Sequence, residues 1–375
     1  FSFTEPDHPF INHHWLSEVV FFLLNGIIGL KGLILFKAAV ILAAFSVIFA
    51  TLYKKTGLWP LIISFIIGAL IFDRTDVRPE IFSYLFLAIF LAAIFKAKFG
   101  QSYKWLYALP IIQLLWTNMH IYFALGPGLL FLFLIDRLVH KENVAILKKL
   151  AIIFLITCAA TLINPNFIRG ALQPFMILGN YGYSIVENQG IFFLTDYGAL
   201  LTPIWLFELS LIALILSFVI AIKNGVRKIT FELLVALVFM VLGARMVRNF
   251  GIYALVFIPI FALNISAIRL PAWLTNKKTA IAVSAATLLF LTWLTSAVID
   301  NKYFRWLESG KKFGLEIPAG AEKGVEFVKQ NDIKGPVFNN FDVGSFMIWE
   351  LYPEQRVFVD GRPEAYSTEF FRNIY

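Results

Sequence analysis

Apolar residues in this chain gather into long runs instead of alternating with polar ones. Ten runs, at 33–53, 58–73, 81–96, 105–117, 121–137, 147–163, 203–222, 230–244, 250–267 and 279–299, approach the roughly 17–25 residues that cross a bilayer as helix. The shorter ones need help from flanking loops or a locally thinned bilayer. Residues 15–32 (WLSEVVFFLLNGIIGLKG) break the pattern: Asn25, Gly26 and Gly29 interrupt the run and Lys31 follows it. An apolar face with a tryptophan and a short polar edge predicts a juxtamembrane helix lying in the membrane interface. From residue 300 the pattern turns soluble. It reads as a helix near 320–331, a strand at 336–339, a helix near 342–351 and a strand at 355–359, followed by Asp360-Gly361-Arg362.

The predicted fold is an all-α polytopic transmembrane bundle of ten spans, with a juxtamembrane helix and a small, truncated α/β domain at the C-terminal end. Its divisions are 1–32 (outer loop and interfacial helix), 33–299 (membrane domain) and 300–375 (extracytoplasmic domain). The chain opens on Phe1 and stops at Tyr375 in mid-pattern, which reads as a fragment or a processed chain.

Composition agrees with a bilayer as solvent. Of 375 residues, 59% are hydrophobic and 15% charged, against roughly 45–50% and 25% in soluble domains. The single cysteine, Cys158, excludes a disulfide framework and a multi-cysteine metal site.

Charge adds orientation, because Lys and Arg near span ends stay on the cytoplasmic side. One set of alternate loops carries fifteen basic residues, among them Lys54, Lys98, Arg137, Lys148, Lys223 and Lys277; the opposite set carries Arg74, Arg78, Arg169, Arg245 and Arg248. The N-terminal segment and the tail therefore read as extracytoplasmic, in a multi-pass protein of the cytoplasmic membrane. The formal charge of +8 becomes a topology signal, and no nucleic-acid partner is expected. Carboxylates and imidazoles show the reverse bias. Glu5, Asp7, Glu18, Asp73, Asp76, Glu80, Glu187 and Asp196 fall outside, with His8, His13, His14 and His120. Acid–base chemistry is expected on that face.

Four outer constellations carry candidate chemistry. The first is Glu5, Asp7, His8, His13 and His14, which can supply a general base, hold an anion or bind a divalent cation. A plain polar loop explains the same residues, and no HExxH spacing is present. The second is Asp73-Arg74-Thr75-Asp76-Val77-Arg78-Pro79-Glu80, which joins two expected spans at the outer surface. Arg74 and Arg78 sit where topology selects against arginine, and guanidinium suits phosphate, with ion pairing to Asp73 or Asp76 as the alternative. Arg245 and Arg248 repeat that anomaly, so two arginine pairs can together hold a phosphate or an anionic lipid headgroup. The third is Trp116-Thr117-Asn118-Met119-His120, a tight turn. Asn118 and His120 there can hydrogen-bond a sugar or phosphate, and Trp116 offers a face for a pyranose or serves as an interfacial anchor. The fourth is Asn339-Asn340 with Asp360 and Arg362, which converge if both tail strands are parallel; an ordinary Asp-Gly turn is the alternative.

The stretches HHWLSEVVFFLLNGIIGLKGL, DVRPEIFSYLFLAIF, LLWTNMHIYFALG, TLINPNFIRG, RMVRNFGIYALVFIPIFAL and FNNFDVGSFMIWELYPEQRVFVDGRPEAY together resemble the GT-C class of membrane glycosyltransferases. That class contains protein O-mannosyltransferases and aminoarabinose transferases. The resemblance is one of pattern and order over most of the chain. It implies a polyprenyl-phosphate sugar donor, a glycan, lipid or protein acceptor, and transfer with inversion on the extracytoplasmic side. It also implies a carboxylate in the first outer loop as catalytic base, for which Glu5 and Asp7 are the carboxylates present before the interfacial helix. Substrate binding would fall to Arg74, Arg78, Asn118, His120, Arg245, Arg248, His14, Asp360 and Arg362. No cofactor is required by the sequence, and a divalent cation stays open. Two other readings remain: a transporter or flippase of lipid-linked or small solutes, and a non-catalytic membrane protein with a binding tail.

Overall fold

The computed structural model describes residues 2–72, 76–100, 102–176, 185–268, 277–307, 312–315 and 322–373. Helices dominate, as hydrocarbon demands of segments that must satisfy their own backbone groups. In order they are α1 (Trp15–Thr56), α2 (Trp59–Ile67), α3 (Ala69–Phe72), α4 (Glu80–Lys98), α5 (Leu109–Met119), α6 (Leu125–Val139), α7 (Val144–Ala160), α8 (Phe167–Met176), α9 (Ile191–Tyr197), α10 (Leu201–Lys223), α11 (Thr230–Arg245) and α12 (Phe250–Ile265). The helices Lys277–Ile299, Lys302–Trp306, Glu322–Gln330, Phe341–Leu351 and Thr368–Asn373 follow.

Among the described residues five helical stretches are long and apolar enough to cross a membrane: α1, α4, Ile121–Val139, α10 and Val247–Ile265. The chain is an integral membrane protein of helical type. Among the described residues five of the ten expected spans meet that standard; the run 279–299 lies in a 23-residue helix, Lys277–Ile299, and the other four are shorter for local reasons. Run 58–73 divides at Gly68 into α2 and α3. Run 105–117 begins as a 3₁₀ turn, Tyr103–Ala108, before α5 starts at a proline. Runs 147–163 and 230–244 become α7 and α11, of 17 and 16 residues.

The interfacial helix and first span join into one element that turns at Gly29, where φ is 67° and ψ is 177°. A Cβ disfavours that conformation. Two stretches form the centre of the bundle: the apolar windows of α4 and Val247–Ile265 are 83% and 78% buried, against 39% in α10. Gly251 permits the close approach of α12 to α4, since a Cβ there would lie 2.3 Å from the Tyr84 hydroxyl. Helices in lipid associate through such small-residue contacts.

At one end of the bundle a buried ionic cluster joins α4, α6 and α11. Lys98 pairs with Glu232 and lies 3.5 Å from Asp136; Asp136 also pairs with Arg137 and accepts a 3.0 Å bond from the Phe231 amide. Asp136 is fully buried, and the Lys98 and Glu232 side chains are at most 5% exposed. Glu142 and His140 border the cluster at 3.4 and 3.6 Å.

The tail keeps the expected order of segments but forms no sheet among the described residues. The strands expected at 336–339 and 355–359 shrink to single parallel bridges, Val337 with Val357 and Ser2 with Val357. Side chains replace the missing ladder. Asn339 accepts from the Phe358 amide at 2.9 Å and donates to the Val359 carbonyl at 2.7 Å, while the Ser2 and Thr4 hydroxyls both donate to the Phe358 carbonyl. The α/β expectation is therefore corrected to helices packed on extended segments. Two small cores hold them, Val325, Met347, Leu351 and Val357 in one, Val359, Tyr366, Phe370 and Phe371 in the other.

Candidate functional site at the histidine end of the bundle

The end opposite the ionic cluster gathers the start of α1, the turn after α5, the turn after α11 and the tail. Two hydrogen bonds seat α1 there. The Trp15 indole donates to Asn118 Oδ1 at 2.9 Å, and the Ser17 hydroxyl donates to the Met119 carbonyl. Asn118 spends its amide nitrogen on the Leu114 and Ile163 carbonyls, 2.9 Å each. It is a bracket between α1, α5 and the segment after α7.

His120 follows in an extended conformation, buried, between two turns. Its Nδ1 lies 2.8 Å from the Ser83 hydroxyl, which accepts a 2.7 Å bond from the Trp116 indole. Trp116 only donates, and Ser83 has no other partner among the described residues. The hydroxyl proton therefore goes to His120 Nδ1, and the network assigns the ring proton to Nε2. Trp116 is neither an open pyranose platform nor an interfacial anchor. It is fully buried beside Phe86 and Phe90 and holds Ser83.

Four rings make a continuous row. His13 and His14 have centroids 3.8 Å apart, His14 and His120 5.2 Å, and His120 and Tyr122 4.6 Å, each meeting edge to face. Tyr122 donates to Asn249 at 2.8 Å, and the Arg248 guanidinium stands 6.0 Å from its ring. His13 Nδ1 is 3.3 Å from the Ile11 carbonyl, which only accepts, so that nitrogen carries the proton. Burial pushes His13 down to about 4, opposed by its bond to Ile11 and assisted by Arg248; burial pushes His14 to about 3, assisted by His13 and Arg248. Both are neutral imidazoles near pH 7. His14 Nδ1 is buried and has no hydrogen-bond partner among the described residues.

The predicted arginines divide. Arg74 lies outside the described residues. Arg78 Nη1 donates to both carboxylate oxygens of Glu187, at 2.9 and 3.0 Å, and Arg78 Nη2 lies 3.5 Å from Asp76. Arg248 donates to Asn188 at 2.9 Å. The neighbouring residues 187 and 188 thus bring Arg78 and Arg248 to the same end of the bundle as the first segment. Arg245 is exposed at the end of α11. The cleft beside the histidines is lined by Asn12, His13, Trp15, Asn118, Asn164 and Asn166 among others, and not by Arg78 or Arg248; its volume of ≈ 10 Å³ is about one water.

The tail contributes charge. Asp360 is fully buried and accepts from Arg362 Nε and Nη2 at 2.7 Å each, from the Arg362 amide at 3.1 Å and from Tyr366 at 2.8 Å. Those bonds hold Arg362 above its ordinary value and place its guanidinium 5.5 Å from the Phe10 ring. Asn339 and Asp360 converge, as the parallel-strand reading expects, although no sheet carries them.

Of the two candidate bases, Glu5 is committed to the tail. It accepts from the Ser367 amide and hydroxyl at 2.5 and 2.6 Å, next to the helix Thr368–Asn373. Asp7 is exposed. A further carboxylate under the electrostatic influence of Arg248 and Arg362 is Glu364, which was not singled out in the sequence. Burial raises its carboxyl above the ordinary range against the pull of Arg248 and Arg362. A polar residue two places after an arginine in GRPEAY gives no periodic signal, and only the fold brings it to Arg248. Among the described residues no group of three or more histidine, cysteine or acidic side chains is placed to hold a metal ion.

No protein-family model matches the chain, and no curated protein matches its sequence.

Proposed function

We propose that the protein is a membrane glycosyltransferase that moves a sugar from a polyprenyl-phosphate donor to a glycan, lipid or protein acceptor, with inversion, on the extracytoplasmic face. The observation that carries this reading is the meeting of Arg248, Arg362, Glu364 and neutral imidazoles at one end of a membrane bundle. Transfer needs a cation beside the departing phosphate and a base beside the acceptor, and these side chains supply both. The acceptor oxygen attacks the anomeric carbon, and the carbon–oxygen bond to phosphate breaks with its electron pair leaving on the phosphate. The hydroxyl proton passes to Glu364, whose raised affinity for protons suits a general base. The excess of Lys and Arg in the opposite loops supports the extracytoplasmic placement of this end.

Transfer from labelled polyprenyl-phosphate sugars by membranes holding the full-length protein tests this reading. Arg248→Ala and Glu364→Gln should each lower transfer on the order of 100-fold; wild-type rates in both variants would overturn the assignment. A transporter of lipid-linked or small solutes draws its support from the ionic cluster of Lys98, Asp136 and Glu232, since ionisable groups within a bundle often mark a transport path. Movement of solute or lipid across proteoliposomes with no covalent product would favour it.

A further inference from the structure

We propose that the rim of the bundle beside the ionic cluster binds the phosphate of an anionic phospholipid, through Lys55 at the end of α1, Lys96 in the last turn of α4 and Lys104 in the 3₁₀ turn that follows. This rim lies at the end opposite the candidate transferase site, and its lipid binding is independent of that reading.

Separate pieces of chain are drawn together there. Lys55 Nζ lies 4.1 Å from the centre of the Phe99 ring, which stacks on Phe95 and packs against the core. The chain after α4 then folds back on the helix end. The Ser102 amide donates to the Lys96 carbonyl at 3.3 Å, and the Ser102 hydroxyl accepts from the Lys104 amide at 3.1 Å. That reversal brings the Trp105 ring to 4.1 Å from Lys96 Nζ. A ring face holds an ammonium in place without cancelling its charge. Lys98, two positions on from Lys96, is buried and paired with Glu232. By contrast, Lys55 and Lys104 are exposed, Lys96 is half-buried, and none of the three forms an ion pair among the described residues.

The need for basic loops on one side of a membrane accounts for lysines at this end, but not for two ammonium groups held over rings on converging elements. The surroundings decide which anion fits. Tyr53, Trp105 and Tyr107 are 51%, 55% and 55% exposed, and Trp and Tyr at the ends of apolar helices sit at the level of lipid headgroups. A phosphate at that depth belongs to a lipid. Basic groups there attract anionic headgroups, while the rings offer apolar area to the upper part of the acyl chains.

The test uses the full chain in nanodiscs of phosphatidylcholine mixed with phosphatidylglycerol, one lipid or the other brominated on its acyl chains so that it quenches nearby tryptophan. The part of the quenching that disappears in Trp105→Phe reports the lipid at this rim. It should be stronger with brominated phosphatidylglycerol. The preference should fall about fivefold in each of Lys55→Gln, Lys96→Gln and Lys104→Gln and weaken with added salt. Lys223→Gln with Lys228→Gln, at exposed positions between α10 and α11, should leave it unchanged. Equal quenching of Trp105 by the two lipids in the wild-type chain would sink the proposal, and that comparison needs no lysine variant to fold. A preference untouched in the triple lysine variant would do the same. Loss through Lys223 and Lys228 as complete as through the three rim lysines would replace the site by a diffuse attraction of basic loops. Inorganic phosphate that displaces brominated phosphatidylglycerol would mark a free-phosphate site. Polyglutamate that shields Trp105 from brominated phosphatidylcholine, with no preference between the lipids, would mark an acidic protein partner. Either result overturns the lipid assignment.

Discussion

The two ends of the bundle handle polar groups in opposite ways. At the Lys98 end, Lys98, Arg137, Asp136 and Glu232 are all charged residues, buried and paired with one another. At the histidine end His13 and His14 are imidazoles held neutral by burial, His14 Nδ1 has no hydrogen-bond partner among the described residues, and burial pushes the Glu364 carboxyl toward its protonated form. A closed set of ion pairs satisfies itself and presents little to a ligand. A set of neutral groups with a vacancy in its hydrogen bonding is arranged for something still to arrive. The contrast separates a fastening from a site without any appeal to which residues are chemically versatile, since both ends contain acids, bases and a histidine.

The strongest way to break this comparison is to remove Asp136. Its carboxylate serves Lys98, Arg137 and the Phe231 amide together, so Asp136→Ala leaves two buried cations and a backbone donor short of a partner. Breaking a buried pair from one side costs about 3–5 kcal/mol, and thermal unfolding of the detergent-solubilised protein should show a loss of that size. The triple replacement Lys98→Met, Asp136→Leu, Glu232→Met should lose far less, because it removes the buried charge along with the pairing. If Asp136→Ala is silent, the Lys98 end is not a fastening and the comparison fails.

Next in size is Asp360→Asn in the tail. It weakens four contacts to Arg362 and Tyr366, and charge-assisted bonds contribute roughly 1.5–3 kcal/mol each, with losses that do not add fully. The expected result is a loss of about 2–3 kcal/mol for the tail, followed by hydrogen exchange of residues 357–371, with α4 unchanged. Equal loss of protection in α4 would show that tail and bundle are one cooperative unit.

Acid should then act on one end only. His13 and His14 are held near 4 and 3 in the folded state, whereas an exposed histidine titrates near 6.5. Between those values the opened segment binds more protons than the packed one, so stability rises with pH there and falls as pH drops from about 6.5 toward 4. Hydrogen exchange in residues 2–14 should quicken at pH 5 relative to pH 7, and His13→Gln with His14→Gln should remove most of that change. An acid response that survives the double variant would assign it elsewhere.

Much of this arrangement was open to reading in the residues, and the exceptions have physical causes. Long apolar runs announced the bundle, and Gly29 marked the turn between interfacial helix and span, because both signals are local. Span lengths were less legible, because hydropathy does not register that Gly68 divides one run or that a 3₁₀ turn before α5 shortens another. The tail's strands were read from β-favouring residues such as Val337 and Val357, but pairing is a tertiary matter, and Asn339, Ser2 and Thr4 took the backbone groups that a ladder would have used. In the site, Arg248, His14 and His120 were visible as polar residues in apolar surroundings. Glu364 was not, since its meaning depends on a neighbour more than 100 positions away. Lys98 and Arg137 looked like topology charges, and only packing turned them inward.

The smallest expected effect belongs to Arg78, and it sharpens the comparison by showing what a pair of neither kind does. Arg78 meets Glu187 through a single nitrogen, Nη1, shared by both carboxylate oxygens, and their side chains are 42% and 28% exposed, so water and salt screen them. Exposed pairs contribute about 0–1 kcal/mol, and this one should weaken further above roughly 0.5 M salt. Arg78→Ala and Glu187→Gln should therefore shift the melting temperature little and by similar amounts, in contrast to Asp136→Ala. The segment 185–190 would still be tied to the turn after α11 by the bond from the Val247 amide to the Gln189 carbonyl and to Arg248 by Asn188. A loss of several kcal/mol from Glu187→Gln would mean that Arg78 is desolvated in solution. That result would move Arg78 from the screened class into the same class as Lys98, and it would weaken any claim that its guanidinium is available to a phosphate.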